Sequence, residues 1–254
     1  MGARVEILGV PISVVDMQSA VKTISKWIES GESRYICATD MHSVMQAQTN
    51  PLHRAALSKA DMVIPDGMPI VWVSRSRGAM EIQRVSGPDL MLPLCDVAAT
   101  KGWSHYFYGG ADGVAEAVGN NLARRFPGMV IAGTHCPPFR ELSSSETDAA
   151  ISKINAARPH VVWVGLGCPK QEIWMLRNVS RLNGAVVIGV GAAFDFYAER
   201  IGRAPAWMRS SGLEWLHRLA REPSRLWRRY LLLGPKFIFQ TAMETWRLRD
   251  LSQT

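Results

Sequence analysis

Short apolar segments rich in β-branched residues alternate with segments of helical periodicity through the first two hundred residues. Most of the strand-like segments are almost continuously apolar, whereas a strand with one solvated face would alternate apolar and polar residues. Strands that are buried on both faces are typical of a mostly parallel sheet covered by helices on both sides. The sequence therefore predicts an α/β fold, with strands at 5–8, 35–38, 62–64, 105–108, 129–134, 161–164 and 185–190 and helices at 16–29, 51–59, 88–100, 114–126, 145–156 and 171–181.

The positive charge of the chain is concentrated near its C-terminal end. The formal net charge is +7, and residues 200–250 contain eleven Lys and Arg against four Asp and Glu, so the rest of the chain is neutral overall. The composition changes near 201–205, and Pro223 is expected to begin a second helix in the basic segment. A neutral body with a basic end predicts an anionic partner.

Arginines recur every three or four positions in this basic segment, which would align them on one side of a helix. Four tryptophans lie in the same segment. Basic side chains with interfacial tryptophans are typical of a segment that lies on an anionic membrane. An ordinary terminal helix packed on the body is an open alternative. Single-stranded nucleic acid is a third, disfavoured because the body has no RNA-binding signature.

The cysteines and histidines show no pattern of metal ligands. The four cysteines are widely spaced, and the six histidines form no HxxH or HExxH pair, so we expect reduced thiols and no preformed metal site. The longest apolar stretch has about ten residues, at 185–194, where a membrane-spanning helix needs ~20. The first residues lack a secretory apolar region. These features predict a cytoplasmic location.

Three predicted strands end in glycine-rich turns, at 108–110, 165–167 and 189–191. Open parallel sheets bind ligands at the carboxyl ends of their strands, where glycines let backbone amides approach phosphates. The three turns together favour a crevice for a nucleotide or a sugar nucleotide. Neither G-x-G turn has the third glycine of the dinucleotide fingerprint, which makes a nicotinamide enzyme a distant alternative.

Three carboxylates follow predicted strands and could act in such a crevice. Asp66 comes directly after the strand at 62–64, where partial removal from water would suit a general base. Asp40 and Asp195 follow two other strands and could accept hydrogen bonds from sugar hydroxyls. The alternative for all three is capping of the helix that follows.

Two further polar residues lie at predicted helix starts. Gln171 could offer its amide to a hydroxyl-rich ligand, and Arg84 could meet a phosphate or form a surface salt bridge. The chain contains no G-x-S-x-G elbow and no phosphate-binding G-x-x-x-x-G-K-[ST] loop, which sets aside serine hydrolases and P-loop kinases.

Together these segments resemble the WecG/TagA/CpsF glycosyltransferases, glycosyltransferase family 26. The resemblance covers essentially residues 5–235 in order and spacing. It is carried by ADMVIPDG at 60–67, RVSGPDL at 84–90, GG at 109–110, GTH at 133–135, VGLGCPKQE at 164–172, GVGAAFD at 189–195, RAPAWM at 203–208 and GLEWLHRL at 212–219.

The resemblance implies a Rossmann-like catalytic domain over 1–202 and a basic, aromatic-rich helical appendage over 203–254. It implies an inverting, metal-independent transfer of a sugar from a UDP-sugar to a polyprenyl-pyrophosphate-linked saccharide, by a protein peripheral to the inner face of the cell membrane. No other cofactor is expected. The oligomeric state stays open.

The resemblance also implies roles for individual residues. Asp66 is expected to be the catalytic base. The expected donor-binding residues are Thr39, Asp40, Arg84, Gly109, Gly110, Gly167, Lys170, Gln171 and Asp195. The expected acceptor- or membrane-binding residues are Arg209, Arg218, Arg221, Arg225, Arg228 and Arg229.

This sequence departs from the family pattern after its second strand. Members often have Thr-x-Asn there, whereas the matching positions of this chain are Ala38-Thr39-Asp40, which replaces the Asn amide by a carboxylate. The change leaves the donor sugar open. Exopolysaccharide-type assembly is the preferred hypothesis, partly because of His42 and the residues after it. A ManNAc or ManNAc-uronate transferase of teichoic acid or common-antigen type and a non-catalytic nucleotide-sugar-binding scaffold are the alternatives.

Overall fold

The computed structural model describes residues 2–251, with the backbone alone for Ala206, Ser210, Arg225, Leu248, Arg249 and Leu251. A six-stranded parallel sheet forms its centre, in the order β4-β3-β8-β7-β5-β6. The α/β architecture predicted from the sequence is therefore confirmed. The strands of this sheet are β3 (Arg34–Thr39), β4 (Met62–Pro65), β5 (Ser104–Gly109), β6 (Val130–His135), β7 (Val161–Gly165) and β8 (Val186–Gly189).

Alternate residues of the strands enter two separate apolar cores, one on each face of the sheet. Tyr106 and Tyr108 of β5 lie in one core, and Phe107 lies in the other. In β7, Val162 and Trp163 divide in the same way. Burial on both faces explains why these strands are almost continuously apolar in sequence.

The first predicted strand does not belong to the sheet. Two short strands, β1 (Arg4–Ile7) and β2 (Val10–Ser13), pair antiparallel as a separate hairpin. Leu8 and Gly9 form its turn with positive φ angles of 50° and 75°. The strand predicted at 5–8 is confirmed as β1, but it pairs in this hairpin and not with the parallel strands. A two-residue turn with positive φ usually contains Asn, Asp or Gly at both positions, and Leu8 gave no such signal.

Helices cover both faces of the sheet. Residues of α1, α5, α6 and α9 fill one core, and residues of α2, α3, α4, α7 and α8 fill the other. These helices are α1 (Met17–Glu29), α2 (Met41–Ala47), α3 (Pro51–Lys59), α4 (Met68–Ser76), α5 (Gly87–Lys101), α6 (Val114–Arg125), α7 (Ser144–Ala157), α8 (Lys170–Asn178) and α9 (Ala193–Tyr197).

The basic C-terminal segment is helical and packs on the body. Its helices are α10 (Ala206–Ser210), α11 (Glu214–Arg221), α12 (Pro223–Trp227) and α13 (Leu233–Leu251), so Pro223 begins a helix as predicted. Phe237 of α13 is fully buried in the core shared with α2 and α4. Glu244 accepts hydrogen bonds from the Leu8 backbone N–H at 2.9 Å and from Arg77 at 2.7 Å. The appendage boundary at 202/203 stays a prediction.

Candidate active site

A cleft of about 1600 Å³ opens along the carboxyl ends of the central strands. All six strands of the sheet run in the same direction, so the residues that follow them meet at one edge. Asp40 follows β3, Asp66 follows β4, Gly110 follows β5, Gly167 lies after β7, and Gly191 lies after β8. All five line the cleft.

Asp66 presents a free carboxylate to this cleft. Its backbone N–H donates to the carbonyl oxygen of Thr39 at 2.9 Å, which holds it beside the end of β3. Within residues 2–251 its side chain makes no hydrogen bond or salt bridge, and the N-cap of α4 is Gly67. The capping alternative is therefore wrong. Burial raises the pKa of Asp66 to about 6, with Asp40 and Glu214 adding to the rise and Arg84 opposing it. Such a carboxylate is ionised at neutral pH yet basic enough to take a proton.

Asp40 caps α2 and also pairs with the C-terminal segment. Its side chain accepts from the Ser43 N–H at 3.0 Å and forms a salt bridge with Arg229. Burial alone would raise the pKa of Asp40, but Arg229, His42 and the Ser43 N–H together hold it below its usual value. Asp40 is thus an anion whose charge is balanced by Arg229. It is less suited than Asp66 to accept a proton.

Arg84 belongs to a half-buried ion network between the body and the C-terminal segment. It contacts Asp89 at 2.9 Å and Glu214 of α11 at 2.7 Å. Arg203 and Arg209 also contact Asp89, at 2.8 and 3.0 Å. Three arginines share two carboxylates, so the network carries a net positive charge at the wall of the cleft. Arg84 therefore forms salt bridges, as one alternative for it proposed, but they belong to a half-buried network that includes the basic segment.

Four predicted donor-binding residues line the cleft. Gly110 and Gly167 have positive φ angles of 78° and 77°, which glycine adopts without strain. Asp195 lies in the first turn of α9, and Lys170 at the start of α8 lies over the Phe139 ring at 4.5 Å. All four border the cleft. Their contact with a donor stays a prediction.

Three other predicted donor-binding residues serve the fold in this conformation. The Thr39 side chain is fully buried and does not line the cleft. At Gly109 a Cβ would lie 2.6 Å from the Gly165 backbone, so this glycine allows β5 and β7 to approach. The Gln171 amide donates to Glu172 at 2.9 Å and accepts from the Gly191 N–H at 3.1 Å. Gln171 borders the cleft, but its amide shapes the glycine turn after β8 instead of standing free for a ligand.

The arginines of the basic segment divide into two sets. Arg209, Arg218 and Arg229 line the cleft beside the body's own polar residues. Arg221 and Arg228 are exposed and do not line it. The side chain of Arg225 lies outside the described residues. The regular spacing in sequence predicted one basic face, whereas the chain breaks at Glu222 between α11 and α12 and then forms a π-helical turn over 228–232, so only some of the arginines line the cleft.

Sequence reasoning missed several residues that the fold brings to the site. His42 lines the cleft after Asp40, and burial and Arg229 lower its pKa. Glu214 reaches Arg84 across 130 residues of chain. Its only signal was its place in a family motif.

A second group that sequence reasoning missed could hold a metal ion. His53, Cys168 and Glu172 have ligand atoms that all lie within 4.8 Å of one another. Burial lowers the pKa of His53 to about 4 and raises that of Glu172 to about 7. The search for short-spaced ligands could not find this group because His53 and Cys168 are 115 residues apart.

Comparisons with known proteins find a family of sugar transferases, which is consistent with a cleft that suits a sugar nucleotide. The family model described as "Glycosyl transferase WecG/TagA/CpsF family" matches residues 5–251. Three similar proteins carry the name N-acetylglucosaminyldiphosphoundecaprenol N-acetyl-beta-D-mannosaminyltransferase. The protein from Bacillus spizizenii is 32% identical over 84% of this chain and 80% of its own length. The protein from Bacillus subtilis is 31% identical over 74% and 71%. The protein from Staphylococcus aureus is 26% identical over 94% and 92%.

These matches decide between the classes of protein that the sequence left open. The named relatives are sugar transferases that act on a lipid-linked acceptor, and the family match spans nearly the whole chain. They contradict the nicotinamide oxidoreductase and favour a transferase over a non-catalytic scaffold. The chain is therefore a glycosyltransferase of the WecG/TagA/CpsF family.

Proposed function

We propose that this protein transfers N-acetylmannosamine from its UDP-sugar to N-acetylglucosaminyl-diphosphoundecaprenol. The observation that carries the proposal is the unpartnered Asp66 carboxylate, which faces the cleft with a pKa raised to about 6. The names of three relatives supply the sugar and the acceptor. They support the teichoic acid or common-antigen type of reaction over the exopolysaccharide type preferred from the sequence.

Asp66 acts as the general base. It removes the proton from an acceptor hydroxyl, whose oxygen then attacks C1 of the donor sugar on the face opposite the nucleotide. The bond from C1 to the diphosphate oxygen breaks, and its electron pair leaves with UDP. Attack from the opposite face inverts C1, which agrees with a β product from an α-linked donor. Positioned base catalysis of this kind contributes typically 10²–10⁴-fold to a rate.

Cationic side chains at the cleft stabilise the leaving diphosphate. Arg84 and Arg209 stand in the ion network, and Arg218 and Arg229 line the same wall. Positive groups fixed where negative charge develops lower the barrier to its departure. This arrangement supports a reaction in which arginines take the role that a metal ion has in many sugar transferases.

An apolar groove beside the cleft suits the lipid part of the acceptor. The groove has a volume of about 510 Å³ and lies between α4 and α13. Met41, Pro69, Trp72, Gly234 and Ile238 border both the groove and the cleft, so the two are continuous. An acceptor with its sugar near Asp66 and its diphosphate at the arginines would lay its polyprenyl chain in this groove.

Large apolar side chains are exposed along the C-terminal helices, and two of them, Ile238 and Trp246, also border the groove. No helix in the described residues 2–251 is long and apolar enough to cross a membrane. Large apolar side chains with basic neighbours suit binding at a membrane surface, where the lipid-linked acceptor resides. We propose that this surface, on the cytoplasmic side, holds the protein at the membrane. The exposed side chains are Trp207, Trp227, Leu231, Leu232, Ile238, Phe239 and Trp246.

The decisive test is a donor panel on one acceptor. Purified protein is given short-chain polyprenyl-diphosphoryl-GlcNAc with UDP-ManNAc, UDP-ManNAc uronate, UDP-glucose or UDP-glucuronate, and UDP release and glycolipid product are measured. We expect the highest kcat/KM with UDP-ManNAc and a loss of at least about 10²-fold in kcat for Asp66→Asn. A preference for UDP-glucose would support the exopolysaccharide hypothesis instead. Near-normal turnover by Asp66→Asn would contradict the assignment of Asp66 as the general base.

Membrane binding is tested separately by sedimentation with vesicles that contain anionic lipid. Ile238→Ser combined with Phe239→Ser should reduce the bound fraction, because these exposed side chains no longer enter the interface. The matched control is Met80→Ser, an exposed apolar residue of the body. Equal binding by all three proteins would contradict the membrane surface proposed here.

A further inference from the structure

Three potential metal ligands converge beneath the floor of the cleft. His53 lies on α3, Cys168 lies in the turn before α8, and Glu172 lies in the first turn of α8. The Cys168 Sγ is 3.8 Å from His53 Nε2, and Glu172 Oε2 is 3.9 Å from the same nitrogen. The side chains of His53 and Glu172 are fully buried.

These distances are close to those of a tetrahedral zinc site. Zinc lies ~2.3 Å from a cysteine sulfur and ~2.0–2.2 Å from histidine nitrogen or carboxylate oxygen, which separates neighbouring ligand atoms by roughly 3.3–3.6 Å. The two separations from His53 Nε2 exceed this by only a few tenths of an ångström, and the third, from Cys168 Sγ to the Glu172 carboxylate, is no longer than 4.8 Å. Gln46 Oε1 lies 3.8 Å from Cys168 Sγ and is a candidate for the fourth ligand atom.

The group contains a buried oxygen that the protein leaves unpartnered. Glu172 Oε2 has no hydrogen-bond partner among the described residues, which is destabilising for a buried polar atom. The other carboxylate oxygen accepts from Gln171 Nε2 at 2.9 Å, as carboxylates that bind metals commonly do from an outer partner. One thiolate and one carboxylate would balance the charge of a divalent cation in this buried position.

We propose that His53, Cys168 and Glu172 form a structural site for a divalent cation of zinc type. A mixture of sulfur, nitrogen and oxygen ligands favours zinc over magnesium or calcium, which prefer oxygen alone. Cys168 and Ser43 border the cleft, and the Ser43 hydroxyl lies 3.2 Å from His53 Nε2, so the ion can reach the site from the cleft. The ion would join α3 to α8 and hold Gln171, the residue that shapes the turn after β8. This inference is independent of the sugar and acceptor proposed above.

The test is metal binding by the full chain, measured without reference to sugar transfer. Reduced protein is freed of metal with a chelator and titrated with Zn²⁺ against a chromophoric competitor, and with Co²⁺ while its absorption spectrum is recorded. We expect one equivalent of Zn²⁺ per chain and a near-ultraviolet band from thiolate-to-Co²⁺ charge transfer. At a hundredfold excess of free Zn²⁺ over its Kd, Tm should rise by roughly 5–10 °C.

Variants assign the binding to these residues. Cys168→Ser and His53→Gln should bind Zn²⁺ at least about tenfold more weakly, since each removes a ligand. Cys136→Ser, at another partly exposed thiol, should bind as the unmutated protein does. Unchanged affinity in Cys168→Ser, or a Co²⁺ complex of the unmutated protein without the thiolate band, would overturn the proposal. The spectrum of the unmutated protein gives this answer even if a variant fails to fold.

Discussion

Asp66→Asn should stabilise the protein at alkaline pH while it removes transfer activity. The pKa of this carboxyl is raised from 3.8 to about 6, chiefly by burial. Each pKa unit corresponds to about 1.4 kcal/mol. Keeping the carboxylate ionised in the folded protein therefore costs about 3 kcal/mol at pH 8, and a neutral amide of nearly the same shape avoids that cost.

The pH dependence of this effect has a definite sign. Between pH 4 and 6 the folded protein holds a proton on Asp66 that the unfolded chain has already released, so the free energy of unfolding falls as the pH rises through this range. The decrease is nearly complete above pH ~7, where both states are ionised. The advantage of Asp66→Asn should therefore be about 3 kcal/mol at pH 8 and about half of that at pH 5.

Urea unfolding followed by tryptophan fluorescence measures both values, and UDP release measures the activity of the same preparations. Asp112→Asn is the matched control, because Asp112 is an exposed carboxylate after β5 and its replacement should leave stability within about 0.5 kcal/mol at both pH values. The reasoning is refuted if Asp66→Asn is no more stable than the unmutated protein at pH 8, or if its advantage is the same at pH 5.

Three further outcomes are expected. The kcat/KM for sugar transfer should fall about tenfold between pH 7 and pH 5, as the deprotonated fraction of a carboxyl with a pKa of about 6 does; a flat profile would contradict an active-site base of this kind. Asp40→Asn should lower the free energy of unfolding by about 1–3 kcal/mol, because half-buried Arg229 loses its charged partner. Urea titration of Asp40→Asn, Arg229→Gln and the double variant measures the coupling free energy between the two side chains, which should differ from zero. Glu244→Gln should cost about 1–2 kcal/mol in the same assay, because buried Arg77 loses its carboxylate. The control is Glu146→Gln, whose carboxylate on α7 forms an exposed pair with Arg140, and it should cost less than about 0.5 kcal/mol. Equal losses in the two variants would contradict a larger contribution from the pair of Arg77 and Glu244.

The sheet could be predicted from the sequence because its strands are buried on both faces. A run such as Val161–Gly165 has one physical explanation, a central parallel strand, and it forms β7. The hairpin could not be predicted in the same way. Its first strand looks like any short apolar segment, and its turn places Leu8 at positive φ, which few side chains adopt. No bounds were predicted for the short helices α2 and α4, which were anticipated only as segments that Asp40 and Asp66 could cap.

The candidate site was predictable only where it depends on the ends of strands. Asp40, Asp66 and Gly110 follow directly from strand positions, since parallel strands end at one edge. Contacts that depend on tertiary packing could not be read from the chain. Glu214 meets Arg84 only because α11 folds back over the body, and periodicity within a helix contains no information about that path.

Two carboxylates at neighbouring strand ends lie close enough for one to change the pKa of the other. A Cβ built on Gly67, next to Asp66, would lie 3.8 Å from the Cβ of Asp40, which follows the neighbouring strand β3. The negative charge of Asp40 strengthens the affinity of Asp66 for a proton, and the Arg229 partner moderates that influence. Changes on β3 can therefore shift the working pH range of the reaction while the reacting carboxylate itself stays untouched.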